Sequence, residues 1–177
     1  MGIAIPGITA AGHVPVYLIP AAAVTTPPTE AAKTLTLTAL TGAGTVKADC
    51  YMDAGDLTLN RAATTKERQR LCQKVSETIK TGETIDLTLS AVYDQQADPT
   101  DAVNLVYSAL TEGAELYVGI PYGWDTDETP TAETKLDLYA VTVQMVTKNF
   151  PTSIDEDLKI TATLSGSAYW SDVALTV

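Results

Sequence analysis

Residues 84–113 read TIDLTLSAVYDQQADPTDAVNLVYSALTEG, and this stretch decides the fold. In Thr84–Tyr93 the side chains of Ile85, Leu87, Leu89, Ala91 and Tyr93 fall on one face and Asp86, Thr88 and Ser90 on the other. That two-residue period is the mark of a strand buried on one side. Asp98-Pro99-Thr100-Asp101 then supplies a capping acid, a proline for the first helical position and a second acid for the first turn. Gly113 supplies a stop. The spacing predicts a helix over about residues 99–112. At about 100° per residue, Leu105, Ala109, Ala102, Val106, Leu110, Val103 and Tyr107 sweep an arc of about 200° with no polar residue inside it. A helix lying on a sheet needs a stripe only a little over about 100° wide. The surplus calls for a second apolar partner, and Val103, Val106, Tyr107 and Leu110 are candidates for packing and subunit contact.

Working outward, residues 1–32 are rich in Ala, Gly, Pro and Thr, nearly uncharged and aperiodic. They read as an extended arm lying against a neighbour, with a β-domain over residues 33–177. Leu35, Leu37 and Ala39 alternate with threonines, Gly42-Ala43-Gly44 turns, and Val46 to Met52 alternate again, which predicts a hairpin. Residues 57–80 are mostly polar, with a strand expected around Gln69–Lys80. Further strands are expected at Leu116–Ile120, at 135–148 and from Leu158 onward. In the strand at 135–148, Leu136, Leu138 and Ala140 share one face while Val141, Val143 and Met145 take the other. Either a β-bulge lies near Ala140 or the distal half is buried on its opposite side. The fold class is mainly β, a sandwich or barrel of about eight strands with one flanking helix.

The formal net charge is −11 and it is unevenly spread. Residues 1–80 hold eight Lys/Arg against six Asp/Glu, whereas residues 81–177 hold three against sixteen. Five of the basic residues, Arg61, Lys66, Arg68, Arg70 and Lys74, form one run. A basic element on an acidic body suits head-to-tail self-association. The acidic balance argues against a phosphate-neutralising nucleic-acid binder. Cys50 and Cys72 are too few for a disulfide scaffold and read as reduced, half-buried core residues. The apolar amino terminus lacks the basic region of a signal peptide, Pro6 stands where myristoylation requires Ser or Thr, and nothing is long enough to span a membrane. These features point to a protein made in the cytoplasm.

Catalytic chemistry finds little footing. His13 is the sole histidine and no GxSxG elbow is present. Thr41–Thr45 is glycine-rich but lacks a lysine and runs into a strand, so it is a turn and not a phosphate cradle. The acids of Trp124–Glu128 depart from the EF-hand spacing. No enzyme activity, cofactor or metal is expected.

The order of these elements, an apolar arm, a Thr-rich hairpin, a basic loop, the segment Ile85–Asp94, the helix, the strands at 115–120 and 135–148, and the closing Leu158–Gly166, resembles the major tail tube protein of long-tailed bacteriophages. The resemblance covers about residues 33–166. It implies a β-sandwich that assembles into hexameric rings, with inner sheets closing a barrel around a lumen. Rings would stack head to tail through a long loop and terminal arms. The implied partners are other copies of the chain, the tape measure protein and tail-end proteins, and DNA would cross the lumen without specific binding. It implies a place in the virion tail after assembly in the host cytoplasm. Arg61, Lys66, Arg68, Arg70 and Lys74 would then meet acids of the next ring. Asp86, Thr88, Ser90 and Asp137 would face a lumen whose carboxylates repel phosphate. A contractile injection or type VI secretion tube is a close variant. A different reading is a non-catalytic β-sandwich binding or adhesion module of a larger particle, monomeric in dilute solution, that holds carbohydrate or a receptor on a platform of Tyr122, Trp124 and Trp170.

Overall fold

The computed structural model describes residues 9–72 and 74–177. Residues 1–8 of the expected arm lie outside them. Among the described residues eight strands form one sheet: β1 (Tyr17–Pro20), β2 (Thr34–Thr36), β3 (Val46–Lys47), β4 (Leu57–Arg68), β5 (Glu77–Val92), β6 (Glu115–Ile120), β7 (Lys135–Lys148) and β8 (Lys159–Thr176). Two short helices, α1 (Leu37–Thr41) and α2 (Leu105–Ala109), accompany them. The sheet runs β3-β1-β6-β7-β8-β5-β4, and β2 pairs with β8 off that path. Neighbours are antiparallel except β2 and β8, which are parallel.

The sheet has a core on each face, and its long strands pass from one to the other. In the first core, Ile85, Leu87, Leu89 and Ala91 of β5 meet Ile160, Ala162 and Leu164 of β8, Val141 and Val143 of β7, and Val118 of β6. Val106 and Leu110 close it. The second core gathers Tyr17, Ile19, Leu35, Leu40, Leu136, Leu138 and Leu175 on the opposite face. The alternation at 136–143 therefore resolves in favour of opposite burial. Leu136 and Leu138 enter the second core, Tyr139, Val141 and Val143 the first. A register shift does fall between Ala140 and Val141, and its extra residue, Ser167, lies on β8.

Several expectations need correction. Residues 17–20, assigned to the arm, form β1 and pair with β6 from Tyr17↔Gly119 to Pro20↔Leu116. Val16 and Leu18 enter the first core and Tyr17 and Ile19 the second. A strand buried on both faces shows no alternation. The expected hairpin at 34–52 is instead β2, α1 and the two-residue β3. Three alternating couples are too few to separate a strand from one helical turn. Here Ala39 and Leu40 are buried and the Thr41 hydroxyl donates to the Leu37 carbonyl oxygen. The strand expected at Gln69–Lys80 begins only at Glu77. Both cysteines are free and exposed, not core residues.

The helix is shorter than expected. A 3-10 turn spans Ala102–Asn104 and α2 ends at Ala109. The acids meant to cap it bond locally instead: the Thr100 amide donates to Asp98 Oδ1 at 2.9 Å and the Asp98 amide to Asp101 Oδ2 at 3.0 Å. The Thr100 bonds hold the Asp98 carboxyl below its usual range. At the other end the Gly113 amide is taken by the Val143 carbonyl at 2.8 Å, which draws the chain into β6.

Asn104, buried to 2 % exposure, pins this loop. Its Oδ1 accepts from the Asp94 amide at 3.1 Å, and its Nδ2 donates to the carbonyls of Asp94, Ala97 and Asp98 at 2.8, 3.2 and 3.2 Å. Asn104→Ala leaves these groups without their partner. A loss of about 2–4 kcal/mol is expected in denaturant unfolding of the unassembled chain. Asn104→Asp, which accepts but cannot donate when ionised, should be destabilised comparably at neutral pH. A variant as stable as the wild type would show that the loop is held by other contacts.

Candidate functional site

Two surfaces follow from the strand pattern. The first is the hairpin of β4 and β5. Its register runs from Leu57↔Leu89 to Arg68↔Glu77, with a shift at Thr64/Thr65. At the root, Leu57 packs on the first core. Arg61 bonds Glu83 at 2.9 Å and lies 4.2 Å over the Tyr169 ring, and Lys80 bonds Glu83 at 2.7 Å. Bonds from Lys80, and then Arg61, hold the Glu83 carboxyl below its usual range. Beyond the root the ribbon leaves the body. Residues 58–72 and 74–78 are all exposed, on both faces.

The basic run therefore divides. Arg61 is engaged at the root, whereas Lys66 and Arg68 share the opposite face of the far half of β4. Arg70 and Lys74 stand in the turn, all four distal cations being exposed.

The second surface is the outer face of the central strands. Asp86, Thr88 and Ser90 project there from β5, opposite the core residues Ile85, Leu87 and Leu89. Cross-strand pairing sets Asn60 and Ser165 beside Asp86, Thr58 and Thr163 beside Thr88, and Thr161 beside Ser90. The Ser90 and Thr161 hydroxyls bond at 2.8 Å. The result is a carpet of hydroxyls with Asp86 as the carboxylate among these residues. The β8 members had a legible signal, since Ile160, Ala162 and Leu164 alternate with Thr161, Thr163 and Ser165 as residues 85–90 do.

Asp137 does not join this face. It shares the Tyr139 side of β7, accepts from the Tyr169 hydroxyl at 2.9 Å and from the Asp172 amide at 3.2 Å. Burial pushes the Tyr139 and Tyr169 phenols above their ordinary value, so both stay neutral. Asp137 thus holds a bend of β8 in place.

Of the helix candidates, Val106 and Leu110 are buried in the chain's own core at 0 % and 2 % exposure. Tyr107 is half-buried against Tyr93 with ring centroids 4.5 Å apart, and Val103 is also half-buried. The unspent part of the apolar arc is Leu105, 37 % exposed, with Ala102. It borders an apolar groove of about 360 Å³ that Leu18, Pro20, Val46 and Leu116 complete.

The aromatic platform is not assembled. Trp170 packs beside Tyr117 at the second core with centroids 6.4 Å apart, while its neighbour Tyr169 packs on the first. The Trp124 indole donates to the Glu128 carbonyl within its own loop. Among the described residues no helix is long and apolar enough to cross a membrane.

A family model described as "Phage tail tube protein" matches residues 3–177. The chain belongs to the phage tail tube protein family. It is accordingly a structural, non-catalytic component of a phage tail. No curated protein matches it. Among solved structures, a chain of the native gene transfer agent virion is 11 % identical, with 65 % of this chain and 81 % of that one covered and a TM-score of 0.40. A chain of the anti-feeding prophage baseplate is 8 % identical, with 95 % and 96 % covered and a TM-score of 0.48. In this tail tube family member most of the basic run stands on the projecting ribbon, and the hydroxyls lie on the outer face of the central strands.

Proposed function

We propose that this chain is the repeating subunit of a tail tube. Copies close hexameric rings, rings stack head to tail, the tape measure protein fills the lumen during assembly, and DNA passes through it on delivery. One observation carries this reading: the far half of the β4–β5 hairpin is uncovered on both faces. An isolated two-stranded ribbon is marginal in water. A chain that extends one with neither face covered has placed the ribbon's partner outside itself. The exposed Leu105 beside an apolar groove is a second unmet surface, suited to ring closure. A stacking contact between unlike faces does not close on itself and so propagates.

The hydroxyl carpet supports a lumen assignment for Asp86, Thr88 and Ser90. Neutral hydroxyls and one carboxylate per subunit give sliding phosphates no cation to bind. Asp86→Lys should leave folding nearly unchanged, because an exposed side chain away from the core costs within about 0.5 kcal/mol. It should slow DNA ejection from assembled particles several-fold. Ejection at the wild-type rate would remove this face from the lumen.

The whole reading is tested by the size of the purified chain against concentration, with electron microscopy. Rings or tubes support it. A strict 18.7 kDa monomer at every concentration overturns it.

A further inference from the structure

The hairpin ends in an apolar tip. Leu71, next to Arg70, is 110 % exposed, and Val75, next to Lys74, is 76 % exposed. At the root of the same hairpin lies a groove of about 650 Å³ whose apolar floor includes Val14, Met52, Leu57, Leu59 and Ile120. Its rim is acidic. Asp49 and Asp53 line it, the exposed Asp53 also bonding Lys159 at 2.5 Å, and Thr126 brings in the loop that carries Asp125 and Asp127. Asp49 is incompletely satisfied. Its Oδ2 accepts from the Thr126 hydroxyl and lies 3.7 Å from Lys47 Nζ, but its buried Oδ1 has no hydrogen-bond partner.

Tip and groove match in three ways: apolar against apolar, cations against acids, and a thiol at each, Cys72 beside Leu71 and Cys50 in the groove lining. They cannot meet within one chain. From Leu59 to Arg68, where β4 ends, the strand runs roughly 30 Å from the groove, and the extended reach to Leu71 is at most roughly 40 Å, at about 3.3 Å per residue. The geometry points to the hairpin tip of one copy seated in the root groove of the next, with Leu71 and Val75 on the apolar floor and the tip cations facing Asp49 and Asp53. This rests on the stacked-subunit reading above and names the surface that receives the ribbon. It also bounds the offset between successive copies along the hairpin at roughly 40 Å. The second copy is the favoured occupant because its hairpin brings cations and apolar side chains together, whereas the sequence of residues 1–8 carries no charged side chain to meet Asp49.

Assembled full-length protein is treated with a short bis-maleimide linker and the products are mapped by mass spectrometry. A covalent dimer joining Cys50 of one chain to Cys72 of another is expected, absent in Cys50→Ser and in Cys72→Ser. Leu71→Asp should raise the concentration needed for assembly at least about tenfold, with the melting of the single chain unchanged, since Leu71 is fully exposed in the single chain. Tubes that give no Cys50–Cys72 product, that link Cys72 to Cys72, or that form normally with Leu71→Asp overturn this docking and leave the tube reading standing. The same holds if residues 1–8 fill the groove, because the linked product is then missing from intact tubes. A chain that stays single throughout overturns both.

Discussion

Subunits carrying Arg68→Glu and Arg70→Glu together are expected to remain folded and single at concentrations where the wild-type chain polymerises. Both side chains stand exposed on the part of the hairpin that has left the body. Substitutions there remove no core contact, and each should change folding stability by within about 0.5 kcal/mol. The interface is another matter. Truncating one partner of a desolvated charge pair costs about 2–5 kcal/mol, and reversal adds repulsion from acids such as Asp53. At about 1.4 kcal/mol per factor of ten, two reversals should raise the concentration needed for assembly by more than about 100-fold. Wild-type assembly should also weaken as salt rises, because exposed cations are screened beyond a Debye length of about 8 Å at physiological ionic strength. Light scattering during size separation reads the assembly state, and a thermal melt of the same sample reads the fold. Tubes from the doubly reversed chain, at wild-type concentration, would mean that the distal cations contribute nothing to stacking.

How much of this was legible depends on how many faces of each strand are buried. The proximal half of β5, β6, β7 and the first half of β8 have at least one face in contact with a core and the other at least partly open, and their alternation identifies them. β1 has both faces buried, Val16 and Leu18 in one core and Tyr17 and Ile19 in the other. The far half of β4 and β5 has neither. Both cases erase the two-residue period, for opposite reasons, and both were misread. Three-dimensional closeness is also unwritten in local pattern. The root groove draws on residues 10–16, 49–59 and 120–126, which are far apart in sequence and meet only in the fold. The charge run could be seen in the chain, but not that Arg61 is held at the root by Glu83 while the other four travel outward. The apolar excess of the helix was readable, yet its exposed remainder is Leu105 and Ala102, because Val106 and Leu110 are used inside the chain.

Gly166→Ala is expected to be the most damaging small substitution in the sheet. Gly166 pairs with Ile85 on one side and Val141 on the other, at the point where β8 parts from β5 and continues along β7. A Cβ placed there would lie 2.6 Å from both Cβ and Cγ2 of Ile85 and 3.1 Å from the Ile85 carbonyl oxygen. These are atoms of a branched, 3 % exposed side chain and of the strand backbone, so no flexible end can swing aside. Overpacking of this kind costs about 1–3 kcal/mol, which for a domain of this size lowers Tm by roughly 3–10 °C. Gly119→Ala provides the contrast. Its Cβ would meet only side-chain ends, Leu136 Cδ1 at 3.3 Å and Ile19 and Leu138 methyls at 3.6 Å, so a cost below about 1 kcal/mol is expected there. Melting of both variants in the unassembled state separates the two cases. Equal melting temperatures would show that β5 and β8 can part at Gly166 without strain. A large drop for Gly166→Ala would tie the proposed lumen face to that one missing side chain, because Ser165 and Asp86 sit side by side only while β8 lies this close to β5.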